Sequence, residues 1–241
     1  MLNKFGKLLK YEFRFYFRIM PPLYLILVLT ALAAGFQTEK SGSYQALFAV
    51  IWGALIVAMT VINIVLIIQR FIDNFLKSPG YLMFTLPVSA WSLTASKAVA
   101  AFCTILMSAL ALFVSAVMYA AVSEGRINIM GLRLPAHPSE IIVFILVAFI
   151  MIFHQICLFY TVISASHLLP RFRFPAGIVM YFAIMTFAEQ PVFRLLVKHT
   201  GSFSLSNSSL YYIPYGIAGL FFAALFIWTT GFLLRHRLNL E

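Results

Sequence analysis

Acidic residues are scarce in this chain: 7 Asp and Glu stand against 17 Lys and Arg, and charged residues of both signs fill only 10% of 241 positions. A soluble domain is about one-quarter charged, so this composition does not supply a water-facing surface. Cysteine is nearly absent. Cys103 and Cys157 both fall in apolar runs and read as small core side chains, too few for a disulfide framework or a metal site. Three signatures of chemistry are missing: the phosphate loop G-x-x-x-x-G-K-[ST], the zinc motif H-E-x-x-H and the nucleophile elbow G-x-S-x-G. His137, His167, His199 and His236 lie in loops or at span ends and form no ligand pair. With no nucleophile–base set to name, the chain is not expected to be an enzyme or to carry a cofactor or metal. It also lacks visible repeats and has almost no acids inside its apolar runs, which weighs against an ion-coupled carrier.

What is present is apolar: 63% of the chain, against roughly 45–50% in ordinary domains. A hydrocarbon core about 30 Å thick needs roughly 20 helical residues, and only helices or closed barrels satisfy the backbone there. The runs are too long and continuous for barrel strands. The expected fold is therefore all-α, a polytopic membrane protein with six transmembrane helices at about 20–36, 45–69, 97–122, 140–165, 174–189 and 211–234. Residues 23–36 also resemble the apolar part of a signal peptide, with Ala31-Leu32-Ala33 as a cleavage-like site. The long aromatic segment before them argues for a retained span. No linker or low-complexity tract divides residues 1–241, which read as one domain.

Residues 1–20 carry two stripes at helical spacing. Lys4, Lys7, Tyr11, Arg14 and Arg18 form a polar face, and Phe5, Leu9, Phe13, Tyr16 and Phe17 an apolar one. This pattern predicts an amphipathic helix lying in the membrane interface. Pro21 and Pro22 are expected to stop it at an elbow. Counting cations at span ends orients the chain. With the N-terminus inside, 12 Lys and Arg fall inside and 5 outside, and both termini are cytoplasmic in the cell membrane. The net charge of +10 thus sits where anionic headgroups lie. It implies membrane lipids rather than nucleic acid as partner.

Polar residues within spans are candidates for a translocation path, because they are costly in lipid. Asn63 in the second span and His154 and Gln155 in the fourth are the pathway candidates. For Asn63 interhelical hydrogen bonding is the preferred reading. Thr60, Ser108, Ser115, Thr161 and Ser164 read as helix-packing residues, and Glu189, before Pro191, is expected to reach the outer water.

The connector between the second and third spans is unusual. Tyr81, Leu82, Met83, Phe84, Leu86, Val88, Trp91 and Leu93 make it too apolar for a solvated loop, so it reads as a surface that packs on something. The stretch Gly80, Tyr81, Leu82, Phe84, Thr85, Leu86, Pro87, Val88, Ser89, followed by Leu93, Ser96 and Lys97, resembles permease subunits of type-2 ABC exporters from Gram-positive bacteria. The opening LLKYEFR at residues 8–14 resembles the first helix of the same family. The resemblance implies a membrane-spanning exporter subunit paired with a second permease subunit, identical or different. Separate ATPase subunits would bind ATP and magnesium. It implies coupling through the connector 70–97, with Phe71, Asp73, Asn74, Phe75, Leu76, Lys77 and Ser78 docking on the ATPase. The substrates implied are antimicrobial or amphipathic peptides, drugs or lipids; the 25 Phe and 10 Met favour a peptide, since such side chains could line an adaptable apolar path. The alternative from another class is a non-transporting membrane subunit that anchors or senses for a cytoplasmic regulator.

Overall fold

The computed structural model describes residues 2–36, 42–75, 90–123, 138–169, 171–200 and 208–236. All regular structure among them is helical. The helices are α1 Leu2–Phe36, α2 Gly42–Phe75, α3 Ala90–Ser123, α4 Pro138–Ser166, α5 Arg173–Ala183, a π-helical segment Ile184–Glu189, α6 Gln190–Thr200 and α7 Ser208–His236. Six stretches are long and apolar enough to cross a membrane: Phe5–Phe36, Val50–Asp73, Trp91–Tyr119, Ile142–Ser166, Arg173–Leu196 and Tyr212–Arg235. The chain is an all-α, multi-pass membrane protein.

Two expected boundaries move. Pro21 and Pro22 lie inside α1, so the basic amphipathic segment and the first span are one continuous helix without an elbow. The missing N–H groups deprive the Phe17 and Arg18 carbonyls of their usual partners. Yet proline's fixed φ is compatible with a helix, and an apolar solvent leaves the backbone no better alternative. The fifth span also runs on. It passes through the π segment into α6 and reaches Leu196 rather than ending at residue 189.

The chain forms two compact units, one of Gly6–Ile67 and Ala100–Arg133, the other of Met1–Phe5, Ile68–Val99 and Leu134–Glu241. In the first, α1 buries Tyr16, Met20, Leu27, Ala31 and Ala34 at helical spacing, and leaves Lys7, Tyr11, Arg14 and Arg18 exposed. The buried face of α3 is built of small residues: Ala101, Thr104, Ser108, Ala111 and Ser115. Such a stripe lets neighbouring backbones approach. At Gly35 the approach is closest, since a Cβ there would stand 2.7 Å from that of Val122.

In the second unit α4 packs along α7. Gly219 makes room for Ile150 and Met151, each 3.1 Å from where a Cβ would sit. The Thr161 hydroxyl donates to the Phe226 carbonyl at 3.1 Å and lies 3.0 Å from the Thr230 hydroxyl. With lipid on the outside, such polar and close-packed contacts hold helices together where the hydrophobic effect does not.

Candidate functional site

The ends of the connector are held by a buried cluster in this second unit. Phe71 and Phe75 close α2, and both are fully withdrawn from the surface. Their spacing of four residues puts them on one helix face, where their rings meet edge to face at 5.1 Å. Phe71 stacks on Tyr160 of α4 at 4.3 Å and 15°. The Lys97 ammonium, on α3 and also buried, sits 5.1 Å from the centroid of the Phe75 ring. This is cation–π distance, and the attraction strengthens when water is excluded. Leu93, Thr94 and Ser96 are buried beside Lys97 on the first turns of α3. Trp91 lays its indole against α7 so closely that a Cβ at Gly231 would fall 1.6 Å from its Cδ1.

This arrangement revises the docking set. Phe71 and Phe75 offer no surface to a partner. They clamp the connector to the spans, because two adjacent aromatic rings at the end of a span are better satisfied by Tyr160 and Lys97 than by water. Asp73, on the opposite side of the same turn, is exposed. The side chain of Asn74, and Leu76, Lys77 and Ser78, lie outside the described residues, as do residues 80–89. Residues 90–97 are the opening turns of α3, so the third span begins before Lys97.

The pathway candidates are divided between the two units. Asn63, in the other unit, donates from Nδ2 to Ser108 Oγ at 2.9 Å and to the Met59 carbonyl at 3.0 Å. The Tyr24 hydroxyl lies 2.8 Å from the same Ser108 oxygen. Gln155 accepts from the Tyr181 hydroxyl at 3.3 Å. His154 is fully buried and faces Glu189, with Nε2 and Oε1 3.2 Å apart. Glu189 is therefore enclosed rather than at the outer water.

The local cause lies in the π segment. Pro191 has no N–H, and its ring would press on the Phe187 carbonyl in a regular α-helix. The wider turn before it, closed by Gln190 N–H to the Met185 carbonyl, relieves this and rotates Glu189 toward α4. Phe222 and Phe226 of α7 flank the imidazole with centroids at 6.0 and 5.6 Å. The pair is within ion-pair range but not aligned for a hydrogen bond, and Nδ1 has no protein partner. A signal for it was present in the Glu–x–Pro sequence, since a proline inside a span is a common place for the helix before it to deviate, though Pro21 and Pro22 lie within regular helix.

Among the described residues no three His, Cys, Asp or Glu side chains come together to hold a metal. Both cysteines are free thiols. No family model, curated protein or solved structure matches the chain.

Proposed function

We propose that the chain is the membrane-spanning subunit of an ABC exporter, working with a second permease subunit and separate ATPase subunits that bind ATP and magnesium on the cytoplasmic side. Six helices of spanning length and the exporter-like connector at 70–97 are consistent with that role. The observation that carries the reading is the clamp at the connector's ends. A connector that receives force from an ATPase must pass it to the spans. Here the helix leaving the membrane and the helix re-entering it are tied to α4 through Phe71–Tyr160 and to each other through Phe75–Lys97. Displacement of the connector would then move three spans together. The alternating-access cycle that follows would carry an amphipathic peptide outward, with both termini of this chain in the cytoplasm of the cell that bears it.

The test is purification from its native membrane in mild detergent. The expected result is a co-purifying ATPase whose hydrolysis, in proteoliposomes, is stimulated by an amphipathic peptide. An ATPase that co-purifies but never responds to candidate substrates would favour the non-transporting anchor or sensor. The absence of any ATPase partner would remove the proposal.

A further inference from the structure

A groove of about 470 Å³ opens on the second unit between α2, α4 and α5. Ile72, Phe159, Val162, Ile178 and Phe182 line its length, and His167 and Arg173 line one end. Among the described residues no acidic side chain lines it. From the turn at 167–173 the walls run roughly 12 Å along both helices to Phe159 and Phe182, at 1.5 Å per residue. Arg171 stands exposed on the same turn, its guanidinium 5.8 Å from the Phe172 ring. The groove is thus cationic at the end where the span meets water and apolar throughout its depth.

The polar groups along the walls are already engaged. Ser166 Oγ donates to the Ile163 carbonyl, His167 Nδ1 lies 2.9 Å from the same oxygen, and the Tyr181 hydroxyl donates to Gln155. A peptide lying in the groove would leave its backbone N–H and C=O groups unmatched, at a high cost in such surroundings. An acyl chain has no such groups. Basic pockets between spans at the membrane surface suit anionic headgroups.

We infer that this groove binds one anionic phospholipid, an acyl chain lying between α4 and α5 and its phosphate at Arg173, with Arg171 beside it. The inference rests on the membrane placement of the chain and not on its being an exporter. The test is native mass spectrometry of the full-length protein in detergent, titrated with phosphatidylglycerol or with phosphatidylcholine of the same acyl chains. Phosphatidylglycerol should bind more tightly. Arg173→Gln should weaken it about fivefold, the factor that about 1 kcal/mol per surface cation supplies, and leave phosphatidylcholine unchanged. Ile178→Trp, which fills the groove, should weaken both lipids. Should that variant fail to fold, Arg173→Gln decides alone, because Arg173 is exposed.

Equal binding of the two lipids by the unaltered protein would overturn the inference, as would a preference undiminished by Arg173→Gln. So would displacement of the lipid by soluble glycerol phosphate at similar concentration, which would mark a headgroup-only anion site. Disulfide crosslinking between two copies through Ile178→Cys in native membranes would show that a second copy covers the groove, and would overturn it too.

Discussion

His154 Nε2 and Glu189 Oε1 face each other at 3.2 Å inside a span region, with both side chains enclosed. The two side chains are withdrawn together from water, and each is the other's polar neighbour. Glu189→Ala should therefore lower stability by about 1–3 kcal/mol, the usual cost of leaving a buried polar group without a partner. The double variant His154→Leu, Glu189→Leu should recover a large share. Thermal unfolding in detergent, followed by circular dichroism, reads both. A double variant no more stable than Glu189→Ala would show that the pair is not a mutually compensating unit.

Trp91 and Gly231 make a second contact with a specific readout. Any Cβ at position 231 would overlap the indole, and Trp91 is 46% exposed, so its ring has room to swing outward. Gly231→Ala should displace Trp91 rather than unfold the protein, shifting its fluorescence to the red. The measurement needs a background in which Trp52 and Trp228 are replaced by Phe. Unchanged emission would mean that the indole does not rest on α7.

In the first unit, Asn63, Ser108 and Tyr24 form one polar network between helices. A double-mutant cycle with Asn63→Ala and Ser108→Ala should return a coupling energy of about 0.6 kcal/mol, since the unfolded reference state in the membrane also finds partners. A coupling of zero would show that the two side chains fold independently. A measured coupling would assign Asn63 to helix packing, in keeping with its buried hydrogen bonds to Ser108 and Met59.

The helical architecture was legible in the sequence because apolar runs of span length have few other solutions in lipid. Span ends at 69, 122, 165 and 234 fall close to the observed ones for the same reason. Less legible was anything that depended on how one helix deviates or on which face meets a neighbour. Pro21 and Pro22 read as a stop, yet the surrounding apolar solvent favours a continuous helix. Glu189 read as an outer residue because the fifth span was ended at 189, whereas it runs on to Leu196 through a π turn. Phe71 and Phe75 read as docking residues because the family resemblance implied a coupling contact at the end of α2. That Tyr160 and Lys97, 63 positions apart, would already occupy them is long-range information that no local pattern holds.

Topology can be tested on described residues of the second unit. In a background with Cys103 and Cys157 replaced by Ala, a cysteine at Lys198 should react with an impermeant maleimide added to intact cells. One at Leu169 should react only after permeabilisation. Both positions are exposed. The opposite labelling pattern would invert the orientation drawn from the cation count and place the connector on the wrong side for an ATPase.

Phe71 and Asp73 separate the connector's structural part from its signalling part. Phe71→Ala empties a site enclosed by Phe75 and Tyr160, and truncating such a ring typically costs about 3–5 kcal/mol. Asp73 is exposed, and substitutions at exposed sites cost far less than emptying a core site. If Asp73 touches an ATPase, Asp73→Arg should lower the melting temperature much less than Phe71→Ala does, while weakening substrate-stimulated hydrolysis in the reconstituted complex. Phe71→Ala should lower the melting temperature first and lose coupling only as a consequence. Measuring stability and hydrolysis on both variants distinguishes a docking contact from a clamp. An Asp73→Arg protein that retains full stimulation would move the docking surface away from the end of α2, and the force would then have to enter through residues nearer to α3.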